Sequence, residues 1–133
     1  MKGVAANLTR ALNIGSLVLA SDNSGARIVR IVSVKRGKSK KGRQQYAKIG
    51  DKVKISVRAG NYKMKGQVFD AIVIRQKKPF RRNTGERVAF TDNAVALLKD
   101  DKGNPKGTMI KGAVAREVIE RWPHIAKIAS IIS

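Results

Sequence analysis

In the stretch Val53-Lys54-Ile55-Ser56-Val57-Arg58, apolar and polar residues alternate without a break. A period of two puts Val53, Ile55 and Val57 on one face and the cations on the other, the pattern of a strand with one side buried. Similar apolar, β-branched runs recur at Ser16 to Ala20, Arg27 to Val34, Gln67 to Arg75, Val88 to Phe90 and Ala94 to Leu98. The run within Gln67 to Arg75 is almost wholly apolar, which predicts burial on both faces or nearly so. Between the runs stand Ser21-Asp22-Asn23-Ser24-Gly25, Arg82-Asn83-Thr84-Gly85-Glu86 and Asp100-Asp101-Lys102-Gly103-Asn104-Pro105, all rich in turn-forming residues. Five or six short strands with tight turns in about 90 residues predict a mainly β fold, a small closed β-barrel without exposed sheet edges.

After Gly112 the period changes. Ala115, Val118, Ile119 and Trp122 fall at the spacing of an amphipathic helix, Pro123 stops that helix or starts the next, and Ile125, Ile128, Ala129 and Ile132 repeat the stripe to the end of the chain. Two short C-terminal α-helices are therefore expected, packed on the barrel or on a neighbour. No repeat or linker divides the 133 residues, so a single domain is expected over 1–133, with the barrel at about 14–100 and the helical part at about 112–133.

Charge narrows the possible roles. Twenty-nine Lys and Arg against nine Asp and Glu give a net charge of +20, in a chain that is still 42% apolar. Such an excess opposes compaction by self-repulsion and calls for a polyanion. It is also regional: from Lys35 to Arg87 there are 18 basic and 3 acidic residues. The densest parts are the glycine-containing loop Lys35-Arg36-Gly37-Lys38-Ser39-Lys40-Lys41-Gly42-Arg43 and the cluster Arg75-Gln76-Lys77-Lys78-Pro79-Phe80-Arg81-Arg82. Neither shows the amphipathic helical pattern of a membrane-surface segment. The longest uncharged run near the N-terminus, Ala11 to Ser21, is about half a membrane span. The expectation is a soluble, intracellular protein without a membrane partner.

The sequence offers little to a catalytic reading. With no Cys and one His, it supplies no disulfide framework and no Cys/His metal cluster, and no cofactor is expected. Gly37 to Gln44 has the glycine spacing of a phosphate-binding P-loop, but Arg43 and Gln44 stand where that loop needs Lys and Ser or Thr. The pairs Asp22-Asn23 and Asp92-Asn93 sit at turns or strand starts, where Asx side chains bond local backbone amides. His124 has no nucleophile or carboxylate at a recognisable spacing, so no catalytic residue is assigned.

Nucleic acid is the favoured polyanion. Phe69, Phe90 and Trp122 fall in core-like patterns, leaving Tyr46, Tyr62 and Phe80, each near cations, either to stack on a base or to anchor a loop. Cations outnumber these platforms many times over. Structured RNA read by shape and backbone suits that ratio.

Several blocks, in order, resemble the large-subunit ribosomal protein fourteen family in its archaeal and eukaryotic form. They are Ser21 to Arg27; Ala71 to Pro79 with Arg81, Arg82 and Gly85, continuing to Phe90, Asp92, Asn93 and Ala94; Gly107-Thr108 with Gly112 to Glu117; and Trp122 to Ala126. Thr84 and Ala96 depart from the family signature, at a turn and a core position. The resemblance implies a five-stranded barrel with C-terminal helices, bound to large-subunit rRNA of the 23S type and meeting small-subunit rRNA in an intersubunit bridge. It also implies contacts with neighbouring ribosomal proteins and with a subunit anti-association factor. Carried onto this chain, the factor and protein contacts include Thr108, Met109, Lys111 and Lys127. The expected RNA-binding residues are Arg27, Lys35, Arg36, Lys38, Lys40, Lys41, Arg43, Tyr46, Arg75, Lys77, Lys78, Arg81 and Arg82. The alternative is a free nucleic-acid-binding barrel module, an RNA chaperone or translation factor.

Overall fold

The computed structural model of the protein describes residues 12–34, 46–82, 84–100 and 103–133. Its centre is a closed barrel of β2 (Leu17–Ala20), β3 (Ala26–Val34), β5 (Lys52–Gly60), β6 (Val68–Arg75) and β9 (Ala94–Leu97), in that order. Neighbours are antiparallel except where β2 meets β9 in parallel, pairing Leu19 with Ala94 and Ala20 with Val95. Five strands predicted from apolar periodicity are thus the five of the barrel. The alternation in β5 is realised as expected, with Val53, Ile55 and Val57 buried and Lys54 and Arg58 exposed.

Cross-strand partners share a face, so the pairs Val53 with Ala71, Val73 with Val95, and Ala71 with Leu97 point into the barrel. Ile72, Ile74 and Ala96 are nevertheless fully buried too. Their outer side of the sheet is covered by the C-terminal region, where α1 (Arg116–Arg121) packs against β6 and the Ala115 N–H donates to the Ile74 carbonyl at 3.2 Å. This explains the continuous apolar run of β6. On the opposite side, β2 and β3 are uncovered, and Leu17 and Leu19 are 62% and 43% exposed.

Short elements decorate the barrel. β1 (Leu12–Asn13) pairs with β4 (Tyr46–Ala47), and β7 (Phe80–Arg81) forms a hairpin with β8 (Arg87–Val88) around the expected turn. Two glycines permit close approaches. Gly60 has φ +146, and a Cβ there would lie 2.5 Å from the Gly25 carbonyl oxygen. Gly103 has φ +92 and faces the Trp122 ring at a distance that leaves no room for a side chain.

The C-terminus corrects one expectation. The second helix, α2 (Pro123–Ala126), is a single turn and does not reach the chain end. Ala129–Ile132 is instead a strand, β11, parallel to β10 (Ile110–Val114). Proline at the first helical position favours starting α2, but the β-branched pair Ile131-Ile132 suits an extended chain with a free sheet edge beside it. Ile125 is buried, whereas Ile132 is about half exposed, so the helical stripe read across these isoleucines is not a core face.

Candidate nucleic-acid interface

The nine acidic residues decide how this surface looks. Asp22 and Glu117 are buried, and Asp51, Asp70, Asp92 and Asp100 are half-buried. Each carboxylate has internal work. Asp92 pairs with Arg75 and Glu117 with Arg82, both at 3.0 Å, Asp51 with Arg121 at 3.1 Å, and Asp70 with Lys52 at 3.8 Å. Asp22 accepts the Leu97 N–H at 2.9 Å and the Ser24 hydroxyl at 2.7 Å. Asp100 accepts the Asn104 side-chain amide at 2.9 Å. Among the described residues, fifteen Lys and Arg are exposed against two acids, Glu86 and Glu120. Among the described residues the outer surface is therefore cationic, with almost no carboxylates to compete for its partners.

The predicted RNA-binding residues divide on this structure. Arg27, Lys77, Lys78 and Arg81 are exposed, with side chains available to phosphates. Lys77 and Lys78 stand just past β6, held by the Lys77 N–H donating to Asn93 Oδ1 at 2.7 Å and by Gln76 Nε2 donating to the Lys78 carbonyl at 3.1 Å. Gln76 is fully buried, so a fixed amide anchors a projecting pair of lysines.

Arg75 and Arg82, also expected to meet RNA, do not face outward. Arg75 is 8% exposed: its Nη1 donates to the Lys111 and Ala113 carbonyls at 3.0 and 3.2 Å, and its Nη2 to Ser21 Oγ and to Asp92 Oδ2. The ion pair with Asp92 and these hydrogen bonds join the end of β6 to β10 and to the residue after β2. Arg82 is 7% exposed; it pairs with Glu117 of α1, donates to the Ser133 carbonyl at 2.6 Å, and lies 5.8 Å over the Phe80 ring. Phe80 itself is buried at 1% exposure and stacked near Phe90, which removes it from the base-stacking candidates. Tyr62, at 81% exposure, stays available. Lys35, Arg36, Lys38, Lys40, Lys41, Arg43 and the Tyr46 side chain lie outside the described residues.

The residues expected to contact proteins are gathered by the C-terminal pairing. Ile110 lies opposite Ala129, which sets Thr108, Met109 and Lys111 beside the segment that carries Lys127. All four are exposed. Asn23 fixes the first of them: its Oδ1 accepts the Thr108 N–H at 2.7 Å and its Nδ2 donates to Thr108 Oγ1 at 2.7 Å.

The family model for ribosomal protein L14p/L23e matches residues 11–133. Large ribosomal subunit protein uL14 of Nanoarchaeum equitans is 53% identical over 132 residues, covering 99% of both chains. The proteins of the same name from Methanothrix thermoacetophila and Halorubrum lacusprofundi are 51% and 47% identical over the same share. The chain belongs to the L14p/L23e family. Its role is that of a structural protein of the large ribosomal subunit, and it is not an enzyme.

Within this L14p/L23e chain, the Asp-Asn pairs are structural, as their sequence context suggests, but most of their partners are distant. Asp22 reaches Leu97, Asn23 reaches Thr108, Asp92 reaches Arg75 and Asn93 reaches Lys77. Sequence reasoning did not single out Gln76 or Glu117, which hold the segment from Arg75 to Arg82 in place, or Asp51, which pairs with Arg121. Their signal is spacing across the fold, which a local motif does not carry. Among the described residues no group of His, Cys, Asp and Glu has the arrangement of a metal site, and no helix is long and apolar enough to cross a membrane.

Proposed function

We propose that this protein braces the large ribosomal subunit by packing its exposed cations among phosphates of 23S-type rRNA, with no chemical step of its own. The observation that carries this is the segregation of charge: carboxylates turned inward on Arg75, Arg82, Arg121 and Lys52, and exposed lysines and arginines such as Lys77, Lys78, Arg81 and Arg27 turned outward. Internal ion pairs set the barrel's shape, and the outer cations release counterions when they meet RNA. Lys35, Arg36, Lys38, Lys40, Lys41, Arg43 and Tyr46 bind the same RNA in this reading. Arg75 and Arg82 act by positioning Lys77, Lys78 and Arg81.

In the same reading the protein meets small-subunit rRNA as part of an intersubunit bridge and touches neighbouring ribosomal proteins. An anti-association factor docks at Thr108, Met109, Lys111 and Lys127. Its place is the ribosome of the cytoplasm. The family match and the common exposure of those four residues support this.

Salt titration of binding to a large-subunit rRNA fragment tests the central statement. Engagement of roughly eight phosphates gives a log-log slope of about six to seven. Sedimentation supplies a second reading: a brace stays with large subunits through moderate salt washes. A salt-insensitive complex, or a protein found mainly free of subunits, contradicts the proposal.

A further inference from the structure

The two outer faces of the barrel differ in a way that rRNA binding does not explain. Behind β6 and β9 the apolar outer residues are covered by the protein's own C-terminal region. In front of β2 and β3, Leu17 and Leu19 are exposed and Ile28 is half-buried. Register places Leu17 opposite Arg30 and Leu19 opposite Ile28, with Val18 and Val29 pointing inward between them. The outward strip is therefore Leu17, Leu19 and Ile28. A shallow groove runs along it. One depression is lined by Leu17, Ile28, Arg30 and Arg58, and the next by Leu17, Leu19, Ile28, Lys77, Asp92 and Asn93.

Both physical features of this groove point to the same kind of occupant. Leucine and isoleucine side chains gain nothing from a phosphate and offer no ring to a base, so RNA laid here would bury apolar surface against charged backbone. A strip of apolar residues bounded by cations fits a polypeptide that offers apolar side chains to the floor and carboxylates to the rim. Arg30 and Arg58 flank one depression with no salt bridge from either to a described residue, and the Asp92 carboxylate of the other is already paired with Arg75. We infer that the outer face of β2 and β3 is a protein-docking groove whose partner is an acidic, apolar segment of a neighbouring large-subunit protein. This rests on the reading of the chain as a brace with ribosomal-protein neighbours, and it names the surface and the chemistry of one such contact.

The test places a photo-crosslinking diazirine amino acid at position 17 of the full chain in assembled large subunits, with adducts mapped by mass spectrometry. The expected adduct is to a polypeptide, at an apolar position within four residues of an Asp or Glu. An adduct to rRNA, an adduct to a segment without carboxylates, or no adduct overturns the inference. A second measurement uses the variant Leu17→Ser/Leu19→Ser, whose side chains point outward and leave the core intact. The crosslinked neighbour should fall several-fold in abundance in subunits carrying the variant, while the salt slope for rRNA binding is unchanged. Full retention of the neighbour overturns the inference. A flat salt slope in the unaltered protein counts against the phosphate-packing proposal alone and leaves the groove's test intact.

Discussion

Within eight consecutive residues, Arg75 to Arg82, the same chemistry is put to opposite uses. Arg75 and Arg82 are buried and bound to Asp92 and Glu117, while Lys77, Lys78 and Arg81 between them project into solvent. A buried guanidinium needs a fixed carboxylate and carbonyls on every side, because desolvation of an unmatched charge is costly. An exposed ammonium needs only a stem and a partner of opposite sign. The lesson is that a cationic cluster has a frame and a working surface, and that arginine with its fork of five donors is suited to the frame.

Replacing the frame should hurt stability first. Arg75→Ala strands Asp92 and two carbonyls, and should cost about 3–5 kcal/mol in chemical denaturation. Loss of less than about 1 kcal/mol would mean that the network joining β6 to β10 is dispensable. The second pair sharpens the same point through a cycle. Arg82→Ala alone should cost roughly 3 kcal/mol, whereas Arg82→Met combined with Glu117→Leu should recover most of it, since an apolar pair replaces a buried ionic one without leaving a lone charge. A smaller effect is expected at Gly112, which has φ +82 and would drive a Cβ into the Arg75 guanidinium. Gly112→Ala should lower stability by about 1–3 kcal/mol, read as a shift in the urea midpoint.

The working surface should show the reverse. The triple change Lys77→Ala/Lys78→Ala/Arg81→Ala should alter stability by no more than about 0.5 kcal/mol, the usual range for exposed positions. The same variant should reduce the magnitude of the salt slope for rRNA binding by about two to three, if each side chain meets one phosphate. A large drop in thermal midpoint would erase the distinction drawn between the two sets of residues.

The periodicity of the sequence carried the barrel well, and for a physical reason. Val53, Ile55 and Val57 report burial on one face directly, and the unbroken run of β6 reports a second layer over it. The same logic failed at the C-terminus, because Ile125, Ile128, Ala129 and Ile132 satisfy a helical spacing while β-branched residues beside an open strand edge prefer extended pairing. β10 was missed because Ile110-Lys111-Gly112-Ala113-Val114 contains a glycine and lacks a clean alternation. The cationic clusters were legible as composition, yet not which arginine turns inward. That choice depends on Asp92 and Glu117, which lie 17 and 35 positions away in the chain and reach their arginines only when the fold is complete.

The seam between β2 and β9 sets the order of events during synthesis. Asp22 and Leu97, hydrogen-bonded in the finished protein, are separated by 75 residues. A nascent chain therefore presents β2 with one unmatched edge until the codons for β9 have been read and that strand has left the exit channel. Distant pairings of this kind slow folding, and an open edge beside bare Leu17 and Leu19 invites aggregation in the interval. The dense positive charge of the intervening segment counters that hazard by keeping incomplete chains apart. Charge that later meets RNA thus serves the polypeptide before any RNA is within reach.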